Sequence, residues 1–139
     1  MKKQIPLSKD TNSLTKGPVE EGCSEEKFIQ LLRKENNFYS VNNALLKACE
    51  IGANCFFVKH LLQHSKVDIK IKNKQYEEIL PIHLCCNRDT GHNGLANLRL
   101  LLKHGDFVNI QTNKGATPLH LASRRGLPDH VNLTAWLRR

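Results

Sequence analysis

Apolar residues are sparse over the first two dozen positions and then fall into paired clusters. Residues 1 to 24 carry Lys, Ser, Thr, Asn, Gly and Pro around isolated apolar side chains. So few apolar groups do not offset the entropy of ordering, and the pattern predicts a disordered leader. From Ser24 the character changes. Ser24 precedes Glu25, Glu26 and Lys27, an N-cap with two acids at the positive end of a helix dipole. Phe28, Ile29, Leu31 and Leu32 then follow at helical spacing. A helix over residues 25–36 is expected, ended by the Asn36-Asn37 pair.

Beyond that helix the pattern repeats itself. Asn-Ala-Leu-Leu-Lys-Ala (43–48), Leu-Pro-Ile-His-Leu-Cys (80–85) and Thr-Pro-Leu-His-Leu-Ala (117–122) align at an interval of 37 residues. A second apolar segment follows each: Phe56 to Leu62, Leu95 to Leu102, and Val131 to Leu137. Each unit reads as a short helix, a turn and a longer helix, the signature of a stacked repeat. The boundaries predicted are a helix at 25–36 and repeats at about 40–72, 77–110 and 114–139 within one domain, 25–139.

The third unit shows the physical logic best. Thr117 is placed to cap a helix and Pro118 to fill its first position, where a missing N–H costs nothing. Leu119 and Ala122 are expected to face the core. Gly126 lies where the helix must end with positive φ, and Gly115 serves a tight turn. The run from Leu101 to Gly126, with Thr117-Pro118-Leu119-His120-Leu121-Ala122 at its centre, closely resembles the ankyrin repeat. The resemblance covers roughly residues 40 to 139. It implies an all-α ankyrin-repeat solenoid of about three helix-turn-helix units, with β-hairpin loops and an N-terminal capping helix.

Departures from the pattern are local. Leu80 replaces the capping Thr in the second unit, a loss of about 1 kcal/mol. Asp89 stands where Gly126 stands one unit later, and residues 90–94 (Thr-Gly-His-Asn-Gly) read as a short insertion between two helices. Residues 70 to 79 lengthen the first hairpin beyond the usual period of about 33 residues.

The resemblance also implies where a partner sits: on hairpin tips and on the concave face of the inner helices. By register, the tips carry Lys74, Tyr76, Glu77 and Ile79, then Gln111, Asn113, Lys114 and Ala116. On the inner helices Arg124 and Arg125 align with Asn87 and Arg88, and with Glu50 and Ile51. Arg88, Lys114, Arg124 and Arg125 are thus expected along one side of a groove, suited to paired hydrogen bonds with carboxylates. Tyr76 is the expected aromatic anchor. His83 and His120 occupy the position whose imidazole, the resemblance implies, bridges backbone groups of adjacent repeats.

Composition narrows the function classes. The net charge is +8, which suits an acidic protein surface, nucleic acid or an anionic membrane. Lys70, Lys72 and Lys74 alternate as on one face of a hairpin strand, solvated or in contact with an acidic partner. Aromatic residues are 6% of the chain, and no stacking platform or recognition-helix motif accompanies the charge. Nucleic acid is therefore the second reading. No apolar stretch reaches membrane-span length, and the basic start lacks the apolar run of a secretory signal.

Five cysteines form no Cys-x-x-Cys pair. They fit free thiols in a reducing, cytoplasmic setting. His83, Cys85 and Cys86 lie close together, but Cys85 takes the place of core Ala122, so a small buried residue is expected. No second pair with zinc spacing, no nucleophile with base and orienting group, and no phosphate-loop motif occurs. The expectation is a non-enzyme without metal or cofactor: an adaptor, scaffold or inhibitor. The ending at Trp136-Leu137-Arg138-Arg139 lacks a cap, which raises self-association through that end, or a fragment of a longer protein. Abundant lysine, asparagine and isoleucine suit an AT-rich genome and, by association, a bacterial effector delivered into a host cell.

Overall fold

A computed structural model describes residues 14–69, 80–87, 90–104 and 110–137, leaving aside the side chains of 16 and 135–137. A short π-helical turn, Thr15–Val19, precedes seven α-helices. They are α1 (Glu25–Lys34), α2 (Phe38–Ile51), α3 (Cys55–Leu62), α4 (Pro81–Cys86), α5 (Gly91–His104), α6 (Pro118–Arg125) and α7 (Pro128–Leu137). No strand occurs among the described residues.

The contacts define two layers. The turn, α2, α4 and α6 pack successively along an inner layer, and α1, α3, α5 and α7 along an outer one. Within a unit, α2 packs on α3, α4 on α5, and α6 on α7. The core runs continuously between the layers through Val41, Ala44, Leu45, Ala48, Phe57, Val58, Leu61, Leu98, Leu101, Leu121 and Ala122. Small residues at inner-helix positions (Ala44, Ala48, Cys85, Cys86, Ala122) let those helices approach closely.

Local chemistry sets each helix end. Ser24 Oγ accepts from Lys27 N–H, and Asn37 Oδ1 from Tyr39 and Ser40 N–H. Thr117 Oγ1 accepts from His120 N–H, with Pro118 next to it in the first turn. Gly52 (φ 71°) and Gly126 (φ 69°) end α2 and α6 in the left-handed conformation, where a β-carbon is costly. Leu80 offers α4 no side-chain acceptor.

Four expectations are corrected. The leader predicted to be disordered is folded over residues 14–24. There the Val19 N–H bonds to Leu14 O across five residues, so both side chains reach α2 and are 1% and 3% exposed. Isolated apolar groups at that spacing do not read as an amphipathic helix. Second, residues 91–94 are not a loop insertion but the first turn of α5, which is accordingly 14 residues long against 8 in α3. Third, α2 starts at Phe38, slightly ahead of the boundary near residue 40 expected for its repeat. Fourth, Leu119 is only half-buried and His120 exposed; among the described residues α4 is the inner helix packed on α6. Asp89, the first hairpin from Lys70 to Ile79, and the segment 105–109 lie outside the described residues.

Candidate functional site

The joints between units are polar and well defined. His83, fully buried, accepts Leu80 N–H at Nδ1 (3.2 Å) and meets Ile110 O at Nε2 (3.0 Å). A carbonyl only accepts, so Nε2 carries the proton and the imidazole is neutral. Burial lowers the His83 pKa below its ordinary 6.5, and the bond to Ile110 opposes this in part. His83 thus ties α4 to the next hairpin, as expected. His120 repeats the local half of the arrangement, its Nδ1 accepting Thr117 N–H at 3.0 Å.

Two further joints were not singled out by sequence pattern. Asn42, fully buried, donates to Phe38 O and Lys66 O and accepts from Asp68 N–H. It ties the segment that follows α3 to α2. His64 accepts Lys66 N–H at Nδ1 and meets Glu35 O at Nε2. Neither sits in the signature run, so only a polar residue at an otherwise apolar register position (Asn42) hints at the role.

The cysteines belong to the core. Cys49, Cys85 and Cys86 are buried free thiols at the packing of α2 on α4. A hydrogen bond with Cys49, together with burial, raises the Cys85 pKa well above its ordinary value. Burial chiefly, with Cys49 beside it, pushes Cys86 up to about 12. Thiols held protonated in this way are poor nucleophiles. A cleft between α5 and α7 collects His92, Asp129 and His130. Among the described residues no group of three or more His, Cys, Asp or Glu is placed to hold a metal ion, and no helix is long and apolar enough to cross a membrane.

The accessible face is formed by the inner helices and one hairpin tip. Gln111, Asn113 and Lys114 are exposed on that tip. Thr112 organises it: its Oγ1 accepts Lys114 and Ala116 N–H, while Gly115 closes the turn with φ 83° and a bond to Thr112 O. Arg124 and Arg125 are exposed at the far end of α6. Lys114 and the arginine pair therefore straddle α6, roughly 12 Å apart along its axis, rather than forming one cluster. Arg125 Nε reaches Asn87 Oδ1 at 3.4 Å, which brings together two of the aligned groove positions. Tyr76, Glu77 and Arg88 lie outside the described residues.

On α2 the groove changes sign. Glu50, aligned with Arg124, pairs with Lys47 at 3.2 Å, and Lys47 also lies 3.8 Å from Glu20. The basic character is confined, among the described residues, to the α6 end. At the start of α2 stands an aromatic pair, Phe38 and Tyr39, 37% and 47% exposed with rings edge to face at 5.4 Å. The Asn37 cap was the available signal for it, since it makes the next two residues the solvent-facing first turn of a helix.

Comparison with known proteins agrees with this architecture. The family profile for ankyrin repeats matches residues 45–135 as three copies. Human ankyrin repeat domain-containing protein 53 is 43% identical over 63 residues, 45% of this chain and 11% of that protein. The mouse protein of the same name is 28% identical over 105 residues, 76% of this chain and 20% of its own length. This chain thus spans a fifth or less of these relatives. The aligned repeats, the two helical layers and the profile match together place the chain in the ankyrin-repeat family.

Proposed function

We propose that the chain is an adaptor or inhibitor that holds an acidic protein surface on the C-terminal half of its concave face. Ankyrin repeats are in general protein-interaction modules. The carrying observation is the pair Arg124 and Arg125, exposed at the end of α6 with Arg125 steadied by Asn87 of the neighbouring inner helix. Guanidinium groups bind carboxylates through paired hydrogen bonds, and holding one of them in place reduces the entropy lost on binding. Lys114 on the tip extends the positive field, and Tyr39 on α2 supplies an aromatic anchor at the same layer. The buried free thiols support placing the protein in a reducing compartment, the cytoplasm.

The test is affinity capture from nuclease-treated lysate with the native chain and with Arg124→Glu plus Arg125→Glu. A discrete protein retained by the native chain and lost by the variant is the expected result. Recovery of nuclease-sensitive material alone would assign the basic surface to nucleic acid and overturn the proposal.

A further inference from the structure

The outer helices α3 and α5 share one register. Leu61-Leu62-Gln63-His64 recurs as Leu101-Leu102-Lys103-His104 at an interval of 40 residues. The buried set Phe57, Val58 and Leu61 recurs as Asn97, Leu98 and Leu101. Away from that buried side, successive turns present Cys55, Lys59 and Gln63 on α3, and Leu95, Arg99 and Lys103 on α5. Lys59, Gln63, Arg99 and Lys103 are exposed, while Cys55 and Leu95 are half-buried. Since α3 packs beside α5, the two stripes form one strip on the outer layer, about 10 Å from crest to crest.

This strip is basic and lacks acids. From Gly52 to Val67, and again from Thr90 to Gly105, the sequence holds no Asp or Glu. Among the described residues Lys59, Arg99 and Lys103 make no side-chain hydrogen bond or ion pair. The strip is bounded on both sides: the aligned places on α1 hold Glu25, Ile29 and Arg33, and Asp129 lies in the first turn of α7. Asp68 follows α3, and Asp89 and Asp106, which flank α5 in sequence, lie outside the described residues. Helix stability accounts for Lys59 and Lys103, which sit in last turns. It does not account for Arg99 in mid-helix. Nor does it explain why α3 and α5 start without an acid where α1 carries Glu25 and Glu26.

We propose that the outer strip of α3 and α5 rests on an anionic phospholipid surface. Two parallel helices offer their cations as a flat band, which suits a plane of headgroups. Leu95, half-buried one turn before Arg99, can settle among those headgroups, whereas a phosphodiester backbone offers it no contact. Phe56 is engaged with Phe28 and Phe57 rather than open to stack on a base. Three cations near such a surface correspond to roughly a hundredfold preference for anionic over neutral lipid, a weak and salt-sensitive attachment. It leaves the inner layer, with Arg124 and Arg125, turned to solution. The attachment stands whether or not α6 holds a protein partner.

The test is co-sedimentation of the full 139-residue chain with vesicles, under reducing conditions. One set is phosphatidylcholine with about one-third phosphatidylserine, the other phosphatidylcholine alone. Roughly hundredfold stronger binding to the anionic set is expected, falling at least about tenfold between about 50 and about 300 mM salt. Lys59→Glu, Arg99→Glu plus Lys103→Glu should abolish the preference. The control Lys27→Glu, Arg124→Glu plus Arg125→Glu makes the same change in net charge at exposed places off the strip, and should retain it within about threefold. Equal binding of the native chain to both vesicle sets, or equal losses in the two triple variants, would overturn the proposal. So would a duplex oligonucleotide of about 20 base pairs bound more tightly than the anionic vesicles through the same three cations, which would assign the strip to nucleic acid.

Discussion

Single residues at the joints between units carry testable consequences. Burial disfavours the charged imidazole of His83, which is why its folded pKa is depressed. A base with a depressed folded pKa leaves the unfolded chain holding more protons at low pH. Its contribution is present above about pH 6.5 and lost as pH falls below it. Urea titrations at pH 7.5 and 5.5 should show lower stability at the acid value. His83→Gln should cost about 2 kcal/mol at neutral pH and flatten that difference. The thiols act in the opposite direction. Burial chiefly raises Cys86 to about 12, so its contribution is present below about pH 9 and declines between about 9 and 12, and Cys85, raised by its hydrogen bond with Cys49 and by burial, acts in the same direction. The slope is at most about 1.4 kcal/mol per pH unit for each thiol. Melting curves above pH 9 should fall less steeply for Cys86→Ala. The resemblance implied the bridging role of His83, and the alignment of Cys85 with Ala122 its place in the core. Neither indicated Asn42, two of whose three hydrogen bonds reach residues 24 and 26 positions away, a relation invisible to periodicity. Asn42→Ala should cost about 2 kcal/mol in a urea titration, since the backbone groups it leaves are partly reached by water.

Elements were legible where their ends carry specific chemistry. Thr117, Pro118 and Gly126 bound α6 as their types require, and Ser24 opens α1. Where an end depends on packing, the pattern was silent. The turn at residues 15–19 exists because Leu14 and Val19 reach α2 together, and α5 gains its first turn because Thr90 fits against two glycines. A β-carbon at Gly52 would strike the Thr90 side chain, and one at Gly94 its Oγ1. Gly94→Ala gains helix propensity of about 1 kcal/mol, but the overpacking costs about 1–3 kcal/mol. Net destabilisation is expected by thermal melting in the native background. In a Thr90→Ala background the same substitution should become stabilising, a sign reversal that a double-mutant cycle detects. A merely flexible loop at residues 91–94 would show neither effect.

At the scale of the molecule, the stack is built from near-neighbour contacts, so its ends are felt locally. The repeat interval of 37 residues exposed three units, while the folded stretch at residues 14–24 escaped notice because its turn is short and weakly apolar. The candidate face was legible in part. Alignment placed Arg124, Arg125, Gln111, Asn113 and Lys114 at positions that are exposed, while Ala116 of the same tip is partly buried against the core. It also set Glu50 at the aligned place in α2, where the pairing of Glu20, Lys47 and Glu50 keeps the basic character from extending. Reading charge by register rather than by total shows this limit. The central claim is that a protein partner rests on the concave end near α6. The direct measurement places a photo-crosslinking residue at exposed Ser123 on α6 and, separately, at exposed Lys103 on outer helix α5, in nuclease-treated lysate. The account predicts a discrete protein adduct from position 123, lost with Arg124→Glu plus Arg125→Glu, and none from position 103. An adduct from position 103 alone, or the same adduct from position 123 despite the charge reversal, would contradict it.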